Sequence, residues 1–249
     1  MSVPDCELTA AIEEGSLLLN QYFRLLKDRF ETLCKHLGNH GPFIEPGVDT
    51  VKEQSSYIGG SAPIFELLKI LCTSLPCRFV AAEQPLLAVP PSDFDVYTGS
   101  PGDDFIMLRE KQHRANIEGN PYEVNFVRGS GVSGPSLLKN VDWNVVGMVV
   151  CLRRTLPGSW ELRSVGDIEI APLTWHFLLK NHSTLRVLPG AHVRWASSFV
   201  RGVSKAFKLK LDLEIPRKSP VIGGEIFKSH IDKVICLLLV FNDTNFDYK

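Results

Sequence analysis

At 249 residues, 44% of them hydrophobic, the chain holds enough apolar material for one sizeable core, or one core with a smaller helical annex. A formal net charge of −1 and a pI of about 6.7 leave no global field to recruit a polyanion, so any nucleic-acid contact must come from a local patch. Six scattered cysteines without a C-x-x-C pair exclude a zinc-ribbon or disulfide scaffold and read as the buried thiols of a reducing compartment.

The N-terminus, MSVPDCELTAAIEEG, is acidic and has no long apolar core, so no signal peptide is expected. Apolar residues then recur at helical spacing: Leu8, Ile12, Leu19, Tyr22, Phe23, Leu26, Phe30, Leu33 and Leu37. This predicts one long amphipathic helix, or two broken near Gly15, ended by Gly38 and NHGP. A second helix, APIFELLKILCTSL, opens directly after YIGGS. RFVAA and DFDVYT read as strands separated by the Pro-rich loop EQPLLAVPPS, and DDFIMLREKQHR as a polar helix. NPYEVNFVR alternates as a strand does, and GSGVSGPS is a loop. WNVVGMVVCL and WELRSV pair as a hairpin across RRTLPGS. PLTWHFLLKNH and AHVRWASSFVRGVSKAFKL are helical, while SHIDKVICLLLVF fits either helix or strand.

The order of these elements predicts an α+β fold: a mixed β-sheet with flanking helices, a long N-terminal helix and a helical C-terminal part. The divisions expected are an N-terminal helical segment (1–41), a core (42–170) and a mainly helical C-terminal part (171–249). The longest apolar runs, VVGMVVCL and VICLLLVF, are too short to span a bilayer. The expectation is a soluble, intracellular, cytoplasmic protein with no membrane partner.

Three stretches carry candidate chemistry. In DFDVYT, Asp93 and Asp95 project from one face of a strand, roughly 6–7 Å apart by its rise per residue. That spacing suits carboxylates sharing divalent cations, whereas Phe94 and Val96 face a core. In YIGGSAP, Gly59, Gly60 and Ser61 open a helix, where backbone N–H groups and a hydroxyl can approach a phosphate, although Ser61 could equally serve as a helix cap. In YEVNFVR, alternation puts Glu123, Asn125 and Val127 on one face, so Glu123 is available as a third carboxylate. Further on, Arg194, Arg201, Lys205 and Lys208 gather on one side of a helix and could meet an RNA backbone or nucleotide phosphates. The same helix carries an apolar stripe of Val193, Ala196, Phe199, Val200, Val203 and Phe207.

Taken in order, these stretches resemble the polymerase-β-like nucleotidyltransferase superfamily, most nearly its tRNA CCA-adding enzyme and bacterial poly(A) polymerase branch. A Gly-Gly helix start is followed by D-x-D, by EVNFVR where the branch has E-V-T-T-F-R, and by KNVDWNVVGM with Asp142. SSFVRGVSKAFKLKLD, ending at Asp212, echoes the branch's R-F-A-A-x-L-G-F-x-[LI]-D helix. The resemblance implies a nucleotidyltransferase-like core in which Asp93, Asp95 and Glu123 are catalytic and hold two Mg²⁺ (or Mn²⁺) ions. It further implies that Gly59, Gly60, Ser61, Arg128 and Asp142 meet a nucleoside triphosphate, whose nucleotidyl group passes to a hydroxyl such as an RNA 3′ end. Departures are present as well. The branch's Arg-Asp after the glycines is Ala62-Pro63, and the double arginine before Asp142 is Asn140-Val141. They point to a compact, divergent relative, with a catalytically silent binding or assembly module as the alternative.

Overall fold

The computed structural model describes residues 3–38, 55–91, 93–117, 120–156, 159–188 and 195–214. The chain is α+β, a mixed sheet flanked by helices. Its elements run α1 (Asp5–Gly38), β1 (Ser55–Gly59), α2 (Ser61–Ser74), α3 (Pro85–Ala88), β2 (Asp93–Gly99), β3 (Ile106–Ile117), β4 (Asn120–Ser130) and α4 (Gly134–Lys139). There follow β5 (Met148–Leu156), β6 (Ser159–Glu161), β7 (Ile168–Ile170), α5 (Pro172–Leu179), β8 (Thr184–Arg186), α6 (Trp195–Leu209) and β9 (Asp212–Glu214).

The main sheet has the order β3-β4-β2-β1-β5-β6, with β7 also pairing β5. All its pairings are antiparallel except β2 with β4. One face carries Ile58, Phe94, Val96, Val124, Phe126, Val150 and Leu152 into the main core. There they meet Leu18, Leu26, Phe30 and Leu33 of α1 and Ile64, Leu67, Leu68 and Leu71 of α2. The other face carries a smaller cluster of Val149, Tyr57 and Tyr97, packed with Val132, Leu137 and Phe105. Because side chains alternate along a strand, Asp93 and Asp95 share this second face with Tyr97.

The predicted strands at 93–98 and 120–128, the hairpin of β5 with β6, and the helices α2, α5 and α6 are all present. Four expectations change. Residues 106–114, read as a polar helix, are part of strand β3. An edge strand pairs through its backbone on one side only, and here both faces are largely solvated, so no two-residue hydrophobic period marks it. RFVAA is no strand: Phe79 is buried just past a turn at 76–78, Ala81–Glu83 form a 3₁₀ turn, and Pro85 then starts the one-turn α3. The C-terminal part also contains a parallel β8–β9 pair, three residues long in each strand and too short to read from periodicity. Cys6 and Cys77, expected to be buried, are exposed near the start of α1 and just after α2. Of the two readings of α1, the single long helix holds: it is continuous through Gly15, where an added Cβ would lie 2.4 Å from the Trp175 ring, so the glycine admits α5 rather than breaking the helix. The SHIDKVICLLLVF segment lies outside the described residues. Among the described residues, no helix is long and apolar enough to cross a membrane.

Candidate functional site

β1 ends at Gly59 level with Asp95 of β2, and the chain turns at Gly60 into α2. Gly60 has φ 82°, a left-handed conformation that favours glycine. It is also crowded, since a Cβ there would sit 2.9 Å from Asp95 Oδ2. The turn therefore brings the Asp95 carboxylate against the N-terminal end of α2. Gly60 is the helix's N-cap residue, with no side-chain cap bond, and Ser61 is the first helical residue. The Gly-Gly-Ser turn and the D-x-D strand, far apart in sequence, thus form one corner.

On the opposite side of β2, the parallel strand β4 sets Glu123 level with Asp93 and Asn125 level with Asp95. The Asn125 amide donates to Asp95 Oδ1 at 2.9 Å. Asn125 is only 8% exposed, and its Oδ1 is buried without a hydrogen-bond partner. Burial pushes the Asp95 pKa up, Asp93 and Glu110 push it further, and the Asn125 amide and Lys205 act against them. Tyr97, next along the same face, is raised chiefly by burial and then by Asp95, Glu110, Asp93 and Asp142. Lys205 of α6 is lowered by burial, with Asp93, Asp142 and Asp95 each opposing that shift. One lysine thus sits in the field of three carboxylates.

α6 is held against this corner by the loop between α4 and β5. Asp142 accepts from Arg201 Nε at 3.0 Å and from its Nη2, and the Trp143 indole N–H donates to the Ser198 carbonyl at 2.9 Å. The loop is fixed in turn on β8: Asn144 Nδ2 donates to the Thr184 carbonyl at 3.1 Å, and the Arg186 N–H to Asn144 Oδ1 at 2.8 Å.

Several expected site residues have other surroundings. Asp142 lies within the field of Tyr97 and Lys205, but its carboxylate is taken up by Arg201, so its evident work is to dock α6. Arg201, expected on an RNA face, is that intramolecular partner. Arg128 is level with Thr98, three residues beyond Asn125, so alternation puts it on the opposite sheet face from Asp93 and Asp95. Glu123 is exposed at the site edge. Lys208 is exposed on α6, and Arg194 lies outside the described residues. The apolar stripe of α6 also differs: Phe199, Ala206 and Leu209 are buried, whereas Val200 and Phe207 are 52% and 73% exposed. Val193 and the Ala196 side chain lie outside what is described.

The sequence reading missed the roles of Asn125, Glu110 and Lys205. Asn125 had a signal, sharing a face with Glu123, but only the register of β4 on β2 decides which of the two meets Asp95. As a cation site the corner is partial. Asp93 and Asp95, on one face of β2, suit one hard cation. No group of three or more His, Cys, Asp or Glu side chains converges for a metal among the described residues, so a two-ion cluster lacks its third carboxylate. In comparison with known proteins, no family model matches the chain, and no curated protein or solved structure matches it either.

Proposed function

We propose that the chain binds a nucleoside triphosphate at the corner of Gly60, Asp93 and Asp95, and transfers its nucleotidyl group to a hydroxyl acceptor such as an RNA 3′ end. The observation that carries this reading is the close approach of Asp95 Oδ2 to Gly60 at the open N-terminus of α2. Backbone N–H groups of that helix start favour phosphate oxygens. Asp93 and Asp95 would hold the divalent ion, whose charge would offset that of the triphosphate and lower the pKa of the acceptor hydroxyl. The acceptor hydroxyl gives up its proton to water. The acceptor oxygen then forms its bond to the α-phosphorus as the bond to pyrophosphate breaks. Lys205, on the docked helix, supplies positive charge beside the same carboxylates.

A second reading, a nucleotide-binding module without turnover, is favoured by Asn125. It stands beside Asp95 where a third carboxylate would complete a two-ion site, and an amide cannot take a proton. Titration calorimetry of each nucleoside triphosphate with and without Mg²⁺, on the wild type and on Asp95→Asn, tests both readings when paired with a pyrophosphate-release assay over hydroxyl acceptors. Metal-dependent binding that Asp95→Asn abolishes, with pyrophosphate released, is the expected result. Binding without release selects the silent module. Absence of binding by any nucleotide overturns the site.

A further inference from the structure

β3 ends the main sheet, with only β4 beside it among the described residues. Residues 106–112 and Arg114 are exposed, although α1 also contacts the strand. A long edge strand with free backbone donors and acceptors is a template for another strand. A register shift between Met107 and Arg109 interrupts the start of β3, leaving 109–117 as its regular run. That run reads Arg-Glu-Lys-Gln-His-Arg-Ala-Asn-Ile, with its charges confined to 109–114.

We propose that this edge pairs antiparallel with the same edge of a second copy, centred on Gln112, to give a two-fold dimer with one continuous sheet. The two-fold restricts the choices. Directly opposed residues of an antiparallel pair lie on the same face, so the axis must pass through a residue position and not between two. Centring on Glu110 sets Glu110 against itself and Arg109 against Lys111. A Lys111 centre opposes two lysines, and an Arg114 centre two arginines. A His113 centre opposes Gln112 to Arg114 and matches no opposite charges. The Gln112 centre sets Glu110 of each copy against Arg114 of the other, twice, with Lys111 opposite His113 and Arg109 opposite Ala115. Opposite charges directly across a ladder stabilise it and like charges destabilise it, so this register is the self-complementary one.

Neither Glu110 nor Arg114 forms an ion pair within its own chain among the described residues. Arg114 is level with Glu123 on β4, so in the dimer its guanidinium would lie between two carboxylates. Glu110, Gln112 and Arg114 share the face of Glu123, Asn125 and Val127, on which Asp93 and Asp95 also stand. The pairing would therefore leave both candidate sites on one side of the joined sheet. A single strand–strand contact buries little area, so the association is a weak and reversible one.

Sedimentation velocity of the full chain over a wide concentration range tests this. The wild type should pass from monomer to dimer as concentration rises. Glu110→Arg and Arg114→Glu, each creating two like-charge oppositions, should remain monomeric, and the double swap Glu110→Arg with Arg114→Glu should restore the dimer. Circular dichroism melting checks that each variant is folded. Should either single reversal misfold, Glu110→Gln and Arg114→Gln carry the same expectation as a weaker dimer. A wild type that stays monomeric throughout, a dimer indifferent to both reversals, or a double swap that fails to restore association would each overturn the proposal.

Discussion

Asp95 carries a charge that its surroundings disfavour, because burial and the neighbouring carboxylates of Asp93 and Glu110 outweigh the help of the Asn125 amide and Lys205. A carboxyl whose pKa rises on folding binds its proton more tightly in the folded state. It contributes nothing below its unfolded pKa of about 3.9 and costs stability progressively as pH rises through the folded value. Asp95→Asn removes that cost and can keep an oxygen for the Asn125 amide. The melting temperature of the variant should exceed that of the wild type at pH 7, with the gain shrinking as pH falls toward about 4, the ordinary aspartate range. Melting both proteins across that range checks it, and a gain independent of pH would assign the effect to packing instead of charge. The D-x-D pair itself was legible, because two acids in an apolar strand conflict with local preference. Its partner was not, since a face containing both Glu123 and Asn125 is the same in either register.

Elements with many turns of one period declare themselves, and those whose form is imposed from outside do not. α1 was readable over its 34 residues because its apolar stripe repeats at helical spacing. β3 was not, because an edge strand exposed on both faces has no pattern to show, and its identity comes from the backbone ladder with β4. Gly15 illustrates the same division within one helix. By propensity alone, alanine there should gain roughly 0.5–1 kcal/mol. Packing reverses the sign, because the new Cβ would lie 2.4 Å from Trp175 Cδ2, and overpacking costs about 1–3 kcal/mol. Gly15→Ala should thus lower the urea midpoint, and Trp175→Leu in that background should recover part of the loss relative to its effect alone. A midpoint raised by Gly15→Ala would mean that α1 and α5 can separate at little cost.

At the scale of the molecule, α1 is a wall of the main core and not an appendage, since Ala11, Leu18, Leu19, Leu26, Phe30 and Leu33 are buried in the same cluster as the sheet and α2. A buried polar contact joins α1 to α2 within that packing. Arg29 of α1 donates to Glu66 of α2 through Nε at 2.7 Å and Nη2 at 3.2 Å, and Glu66 is only 2% exposed. Such a pair fixes the two helices in one alignment, although the desolvation of both charges offsets most of its attraction. The consequence is an asymmetry between single and double substitution. Arg29→Met leaves a buried carboxylate with, among the described residues, only the partly exposed Lys69, 3.7 Å away, to answer it, and should cost about 3–5 kcal/mol. Arg29→Met with Glu66→Met removes both charges and should recover most of that loss, because the apolar surroundings of α1 and α2 accept two thioether side chains of similar length. Equilibrium urea unfolding of the wild type, both single variants and the double variant measures the coupling directly. Additive losses would show that α1 and α2 are aligned by their apolar contacts alone and that the pair is incidental; strong coupling would identify it as the contact that sets how α1 lies across the core, on the sheet face opposite Asp93 and Asp95.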